Sequence, residues 1–194
     1  MRAVGLLSIM LLVACARDPE EALCPDLEVG DLIVTEVRGP QTPEDPVNGE
    51  WIELFNASGR SIDLRGTTVR FRRKDGSSEV KVIVRETTMV GAGAYVVLGL
   101  FLNNTMRPAH VNYGFATDFS EDWLAAAAVD VESCGTRIDR STYDSLPKMG
   151  SYSFTGAMAP DTNANDDLRN WCTNPAANGA VFPGSPQQAN PPCP

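Results

Sequence analysis

Residues 49 to 66 read GEWIELFNASGRSIDLRG. The stretch divides into a β-rich run, Trp51-Ile52-Glu53-Leu54-Phe55, a polar turn, Asn56-Ala57-Ser58-Gly59, and a second run at Ile62-Asp63-Leu64. Asn56 and Ser58 suit a turn because their short side chains bond nearby backbone. Trp51 is expected to fill the core between two sheets or to cap its edge. Glu53 is expected to face water or to hold a neighbouring turn through a charge-assisted bond. The carboxylates of Glu50, Glu53 and Asp63 raise three readings: catalysis, metal binding, or a solvated face.

The same period-2 signal extends on both sides. Leu32 to Val37 is β-rich, and Gly39 to Gly49, with three prolines, reads as a loop that no central strand could contain. In Thr68 to Arg72, Val69 and Phe71 alternate with Arg70 and Arg72, so one face is buried and one wet. Asp75-Gly76 signals a hairpin. On the returning strand Val80, Val82 and Val84 alternate with Lys81, Ile83 and Arg85, and Ile83 breaks the pattern by standing on the wet side. Gly91 to Ala94 turns into the apolar run Tyr95 to Leu98. Ser120 to Ala128 has a capping start and four alanines, which predict one turn of helix before a strand around Val129 and Val131. Arg137 to Tyr143 and Ser151 to Phe154 are further strands. Pro175 to Pro194, with six prolines, is expected to be irregular. About eight short strands with turn punctuation make the chain all-β and point to a sandwich.

The first residues bear on location. Arg2 precedes an apolar run, Ala3 to Val13, of eleven residues, short of the ~20 that span a bilayer as a helix. It fits the h-region of an export signal. Leu12-Val13-Ala14-Cys15 resembles the bacterial lipobox, which makes Cys15 the expected acylation site. At ~0.8 kcal/mol per buried methylene, two or three acyl chains anchor stably where one would not. Ala16 lacks the Asp associated with inner-membrane retention, which favours the outer membrane. The expected organisation is a signal peptide over 1–14, a tether over 15–29 and one domain over 30–194. Losing residues 1–14 removes Arg2 and no acid, so the formal net charge of −9 becomes −10. So acidic a chain has no overall pull toward nucleic acid or anionic lipid.

With Cys15 acylated, Cys24, Cys134, Cys172 and Cys193 remain, an even set in an oxidising compartment. Four cysteines allow three pairings, and none of these has C-x-x-C spacing. Cys172 and Cys193 bracket the proline-rich tail, where a bridge would contribute ~3 kcal/mol. That pairing leaves Cys24 for Cys134.

Three landmarks, Leu32 to Val37, Gly49 to Asn56 and Ile62 to Gly66, resemble in order and spacing the lamin-tail domain in its bacterial, secreted form. Val90-Gly91-Ala92-Gly93-Ala94-Tyr95-Val96-Val97-Leu98-Gly99 is similar to that family's next landmark. Asn170-Trp171-Cys172, followed by Gly184-Ser185-Pro186 and Asn190, is similar to its closing turn. Thr67 follows Gly66 where the family usually has Trp, and Gln187 stands where it has a second Gly. The resemblance implies an immunoglobulin-like β-sandwich with a non-catalytic role, and it implies no ligand.

Three constellations carry possible chemistry. Asp161, Asn163, Asn165 and Asp167 place oxygen ligands at alternate positions, as calcium requires, although an EF-hand loop would have Gly at Asp166 and Glu at Cys172. The same residues also form turns without metal. Arg70, Arg72, Arg73, Lys74, Lys81 and Arg85 cluster on one hairpin. A phosphate-binding patch would read that way, but the wet side of a half-buried strand must be hydrophilic, and edge Lys or Arg discourages aggregation. The cluster is therefore read as envelope-surface charge rather than a nucleic-acid interface. His110 is the single histidine and lies in a loop. No nucleophile elbow, zinc-hydrolase or nucleotide motif occurs, and Glu50 with Asp63 is the carboxylate pair to examine for glycoside hydrolysis. The expectation is a membrane-anchored lipoprotein with a binding, adhesion or structural module for an envelope or extracellular protein or polysaccharide. The alternatives are a calcium-supported binding module and an accessory unit of a secreted hydrolase system.

Overall fold

The computed structural model describes residues 23–119, 122–175 and 184–194. Cys15 and the signal-like run lie outside them. Among the described residues the chain is all-β, and no helix is long and apolar enough to cross a membrane. The strands are β1 (Leu32–Arg38), β2 (Trp51–Asn56), β3 (Ile62–Asp63), β4 (Thr68–Arg72), β5 (Val80–Ile83) and β6 (Met89–Val90). They continue with β7 (Tyr95–Gly99), β8 (Tyr113–Gly114), β9 (Ala127–Ser133), β10 (Thr136–Tyr143), β11 (Ser151–Phe154) and β12 (Trp171–Asn174). A six-stranded sheet has the order β12-β11-β1-β2-β7-β8, a four-stranded sheet the order β10-β9-β4-β5, and β3 pairs with β6.

Alternation decides which side chains meet. Val34, Ile52, Leu54, Val96 and Leu98 from the larger sheet join Val69, Phe71, Val82, Val129 and Val131 from the smaller in one buried core. Phe71, Phe119 and Trp123 gather within that core, with Phe119 and Trp123 stacked at 5.4 Å between ring centroids. Burying one such ring stabilises by roughly 1.5–3 kcal/mol. Two bridges, Cys24–Cys134 and Cys172–Cys193, tie the outer chain to this frame.

Several expectations need correction. Ala127 and Ala128 open β9 instead of closing a helical turn, because each pairs with β10 and Ala128 also faces Arg72 of β4. Sheet pairing there overrides alanine's helix preference. Residues 122–126 carry no helix, and 120–121 lie outside the described residues. Trp51 does not sit between the sheets. Ile52 and Leu54 take the inward face, so the pleat turns Trp51 outward into a separate cluster with Val97, Val111 and Phe101. The strands β6, β8 and β12 have too few residues, or too little alternation, to show as periodic runs.

Of the expected tether, residues 23–28 lie on the domain. Leu27 packs against the core, and the Pro25 carbonyl accepts from the Ser133 hydroxyl at 2.6 Å. Residues 184–194 carry no strand, as their prolines suggested, and 176–183 lie outside the described residues.

Candidate functional site

The two most enclosed acids among the described residues are neighbours. Antiparallel pairing sets Glu36 of β1 opposite Glu53 of β2, beside a bulge that shifts the register between Val34 and Glu36. Both side chains are 0 % exposed. Their cover is the C-terminal segment, which crosses the outward face of the larger sheet. The Glu36 carboxylate accepts from the hydroxyls of Ser151 and Ser153, the latter at 2.9 Å, and from the Ser185 amide at 3.2 Å. Glu53 accepts from the Thr35 hydroxyl at 3.0 Å and from the Gln187 amide at 2.6 Å. Asn190 completes the strap by donating to the Thr35 carbonyl at 2.9 Å while accepting from the Ser185 hydroxyl.

Gly184 makes this approach possible. Its φ is +87°, and a Cβ there would stand 2.4 Å from a Glu36 carboxylate oxygen. Only glycine offers both the backbone angle and the room.

Burial raises the pKa of both acids, and the Glu36 charge pushes Glu53 further, well above the usual carboxylate range. Paired carboxylates of unequal affinity are a proton-sharing arrangement, the raw material of acid catalysis. Here their lone pairs are spent on structural donors and the strap lies over them. Glu53 therefore does hold a turn, as one reading of the sequence had it, but a turn 134 residues away. It does not face water.

The possible calcium loop is a structural turn. The Asp161 carboxylate accepts from the Asn163 and Ala164 amides at 2.9 and 3.1 Å. Asp167 caps the 3-10 turn Leu168–Asn170 and forks onto Arg169. Asn165 is fully buried and points its amide inward, to the Val34 carbonyl at 3.2 Å and to Asp139 at 2.8 Å. Thr162 also donates to Asp139, at 2.7 Å. The Asp139 oxygen that takes Asn165 also accepts from the Val34 amide at 2.8 Å, beside the β1 bulge. The side chains of Asp161, Asn165 and Asp167 are thus each engaged within the turn or with Asp139. Among the described residues no three His, Cys, Asp or Glu side chains converge on a common point. Burial lifts the Asp139 carboxyl to about 7.

Glu50 immediately precedes β2, whereas Asp63 lies on β3 in the two-stranded sheet, beyond the turn that follows β2. Asp63 accepts from the Thr88 and Arg65 amides at 3.0 and 3.1 Å, a turn role. His110 is buried against the Trp51 ring, with its Nε2 3.2 Å from the Asn48 carbonyl, and burial lowers its pKa.

The hairpin cations are mostly spoken for. Arg70 pairs with Glu79 and Glu132, Arg72 with Asp130, Lys74 with Asp144 and Arg85 with Asp118. Asp130, nearly fully buried, also takes Arg140 at 2.5 Å. This lattice neutralises the wet face of the smaller sheet. Lys81 has no ion-pair partner among the described residues.

The sequence carried a faint trace of the acid pair. A Glu inside each of two otherwise apolar strands is costly unless something covers it, and the tail offered Ser185 and Asn190 as donors. What it lacked was the register that sets 36 against 53. The chain matches no known family model and no curated protein.

Proposed function

We propose that this is an exported bacterial lipoprotein, anchored through acyl chains on Cys15, that displays a non-catalytic module at the cell envelope. The module is an immunoglobulin-like β-sandwich of the lamin-tail kind, and its task is binding, adhesion or structure toward an envelope or extracellular protein or polysaccharide. The observation that carries the reading is the closed acid pair. Glu36 and Glu53, the carboxylates best placed for acid–base work, hold the C-terminal strap down instead of opening to a cleft. Two disulfides suit an oxidising compartment. Of the stretches that resemble the lamin-tail domain, β1, β2, β7, β12 and the strap belong to the larger sheet and its outward cover, while Ile62 to Gly66 carries β3 of the two-stranded sheet.

The test is metabolic acyl labelling and envelope fractionation of the wild type beside Cys15→Ser, followed by a pull-down from envelope extract. The wild type should label and sediment with membranes, and the variant should do neither. Equal labelling of the two removes the anchor. A specific hydrolytic activity in the purified protein removes the non-catalytic reading.

A further inference from the structure

The strap over the larger sheet is held to two carboxyls that no cation balances. Glu36 and Glu53 stand opposite each other on paired strands, an arrangement in which like charges destabilise. Neither forms an ion pair with Lys or Arg among the described residues. The ionisable groups of the surrounding elements do not supply one. On β1, Arg38 gives its guanidinium to the Gly49 carbonyl and, at 2.7 Å, to Asp45. Glu50, just before β2, is another acid, while Tyr95 on β7 and Tyr152 on β11 are phenols whose pKa is raised by burial. His110 takes the Gln187 side chain on its carbonyl at 3.2 Å, and its ring lies against Trp51 with a pKa lowered by burial. From 175 to 192 the chain has no ionisable side chain at all.

The two acids are not met alike. Both Glu36 oxygens take the Ser185 amide, at 3.2 and 3.3 Å, a group that only donates. On Glu53 the Gln187 amide claims Oε2 at 2.6 Å, and Oε1 faces the Thr35 hydroxyl at 3.0 Å. A hydroxyl accepts as readily as it donates, and the Glu53 carbonyl lies 3.4 Å from the same Thr35 oxygen to receive its hydrogen. Glu53 Oε1 is therefore a built seat for one proton, with the charge left on Glu36. We propose that this proton latches the strap: with Glu53 protonated, residues 184–190 lie closed on the sheet, and loss of the proton to solvent lifts them. Ionising Glu53 sets a second negative charge beside the first in a dry site, a cost that water relieves. β1 and β2 do not part to admit it, because each is paired on both sides within the larger sheet. The strap can yield, since residues 184–190 join no strand, and the Cys193–Cys172 bridge beyond them keeps the segment within reach to close again. Burial first, and then the Glu36 charge, hold the Glu53 carboxyl well above the usual range. Closure is therefore complete at acid pH and fades as pH rises through the raised value. The outward face of the sheet is covered at low pH and acidic at high pH. The device goes beyond the binding-module reading and needs neither the anchor nor a partner.

The test is amide exchange in the full chain carrying Cys15→Ser, with both disulfides intact, followed by NMR from pH 5 to 9. Each rate is divided by that of the unstructured sequence at the same pH. Protection at the Ser185 and Gln187 amides should fall as pH rises, by up to about tenfold per pH unit, the slope of one linked proton. Amides that pair within β2 and β7 should hold theirs. Glu53→Gln keeps a carbonyl for the Gln187 amide and does not ionise, so protection there should become flat with pH. Glu36→Gln removes the like charge and should shrink the fall. Asp139→Asn removes a buried carboxyl that bonds Val34, Thr162 and Asn165 rather than the strap, and should leave the fall as in the wild type. Protection at Gln187 that does not change with pH, a fall of the same size in Glu53→Gln, a fall abolished by Asp139→Asn, or an equal fall throughout β2 and β7 would each overturn the proposal.

Discussion

Asp139 sits where three parts of the chain meet: it accepts from the Val34 amide at the β1 bulge, from Asn165 and from Thr162. Its carboxyl is lifted from 3.8 to about 7, and Glu36 and Glu53 are raised in the same direction by burial. A carboxyl with a raised folded-state pKa holds its proton in the native protein after the unfolded chain has lost it. Its contribution is complete below the unfolded value and disappears as pH rises through the folded one. The window for Asp139 therefore runs from about 4 to about 7. Melting temperature should fall as pH is raised from 5 to 8. Asp139→Asn can keep acceptors for the Val34 amide and should make that fall visibly shallower, which scanning calorimetry at three or four pH values would measure. A variant whose slope matches the wild type would show that Asp139 does not carry the dependence.

At the scale of elements, the strap 184–194 is the piece without strand hydrogen bonds. It is held by the acid pair, by Asn190 and by the bridge from Cys193 to Cys172 on β12. The Cys193 amide also donates to Thr155 at 3.1 Å, next to the end of β11. Opening a loop of this length by Cys172→Ser with Cys193→Ser should cost about 3 kcal/mol. It should also speed hydrogen exchange at the Gln187 amide, since the strap then has only polar contacts to hold it. Chemical denaturation and exchange mass spectrometry read the two effects. An unchanged exchange rate at Gln187 would mean the carboxylates alone secure the strap. On the other sheet, β4 and β5 were legible residue by residue, because Val69, Phe71, Val80 and Val82 alternate cleanly and pair at short range. β8, two residues long and parallel to β7, was not legible, since it exists only where Leu98 and Gly99 have already been placed.

For the molecule as a whole, the strand order is dominated by distant partners. β1 lies between β2 and β11, and β4 lies between β5 and β9. Chains with such non-local pairing fold in milliseconds to seconds rather than microseconds. Refolding with both disulfides intact should fall in that slower range by stopped-flow fluorescence of Trp51, Trp123 and Trp171, and completion within the instrument's dead time would contradict it. The sequence alone determined the all-β character and most long strands, because side-chain alternation, turn chemistry and composition are local properties that survive without neighbours. Tertiary structure decided the rest. It turned Trp51 away from the main core, made the Asp161–Asp167 stretch a plug for a buried carboxyl, paired off the cationic hairpin, and set Glu36 against Glu53 beneath a segment that begins 131 residues after Glu53. Each of those outcomes depends on strand register and on what covers a face. Register is set by the packing of the entire core, so a one-residue slip in β1 would exchange the buried and covered faces without altering a single local preference.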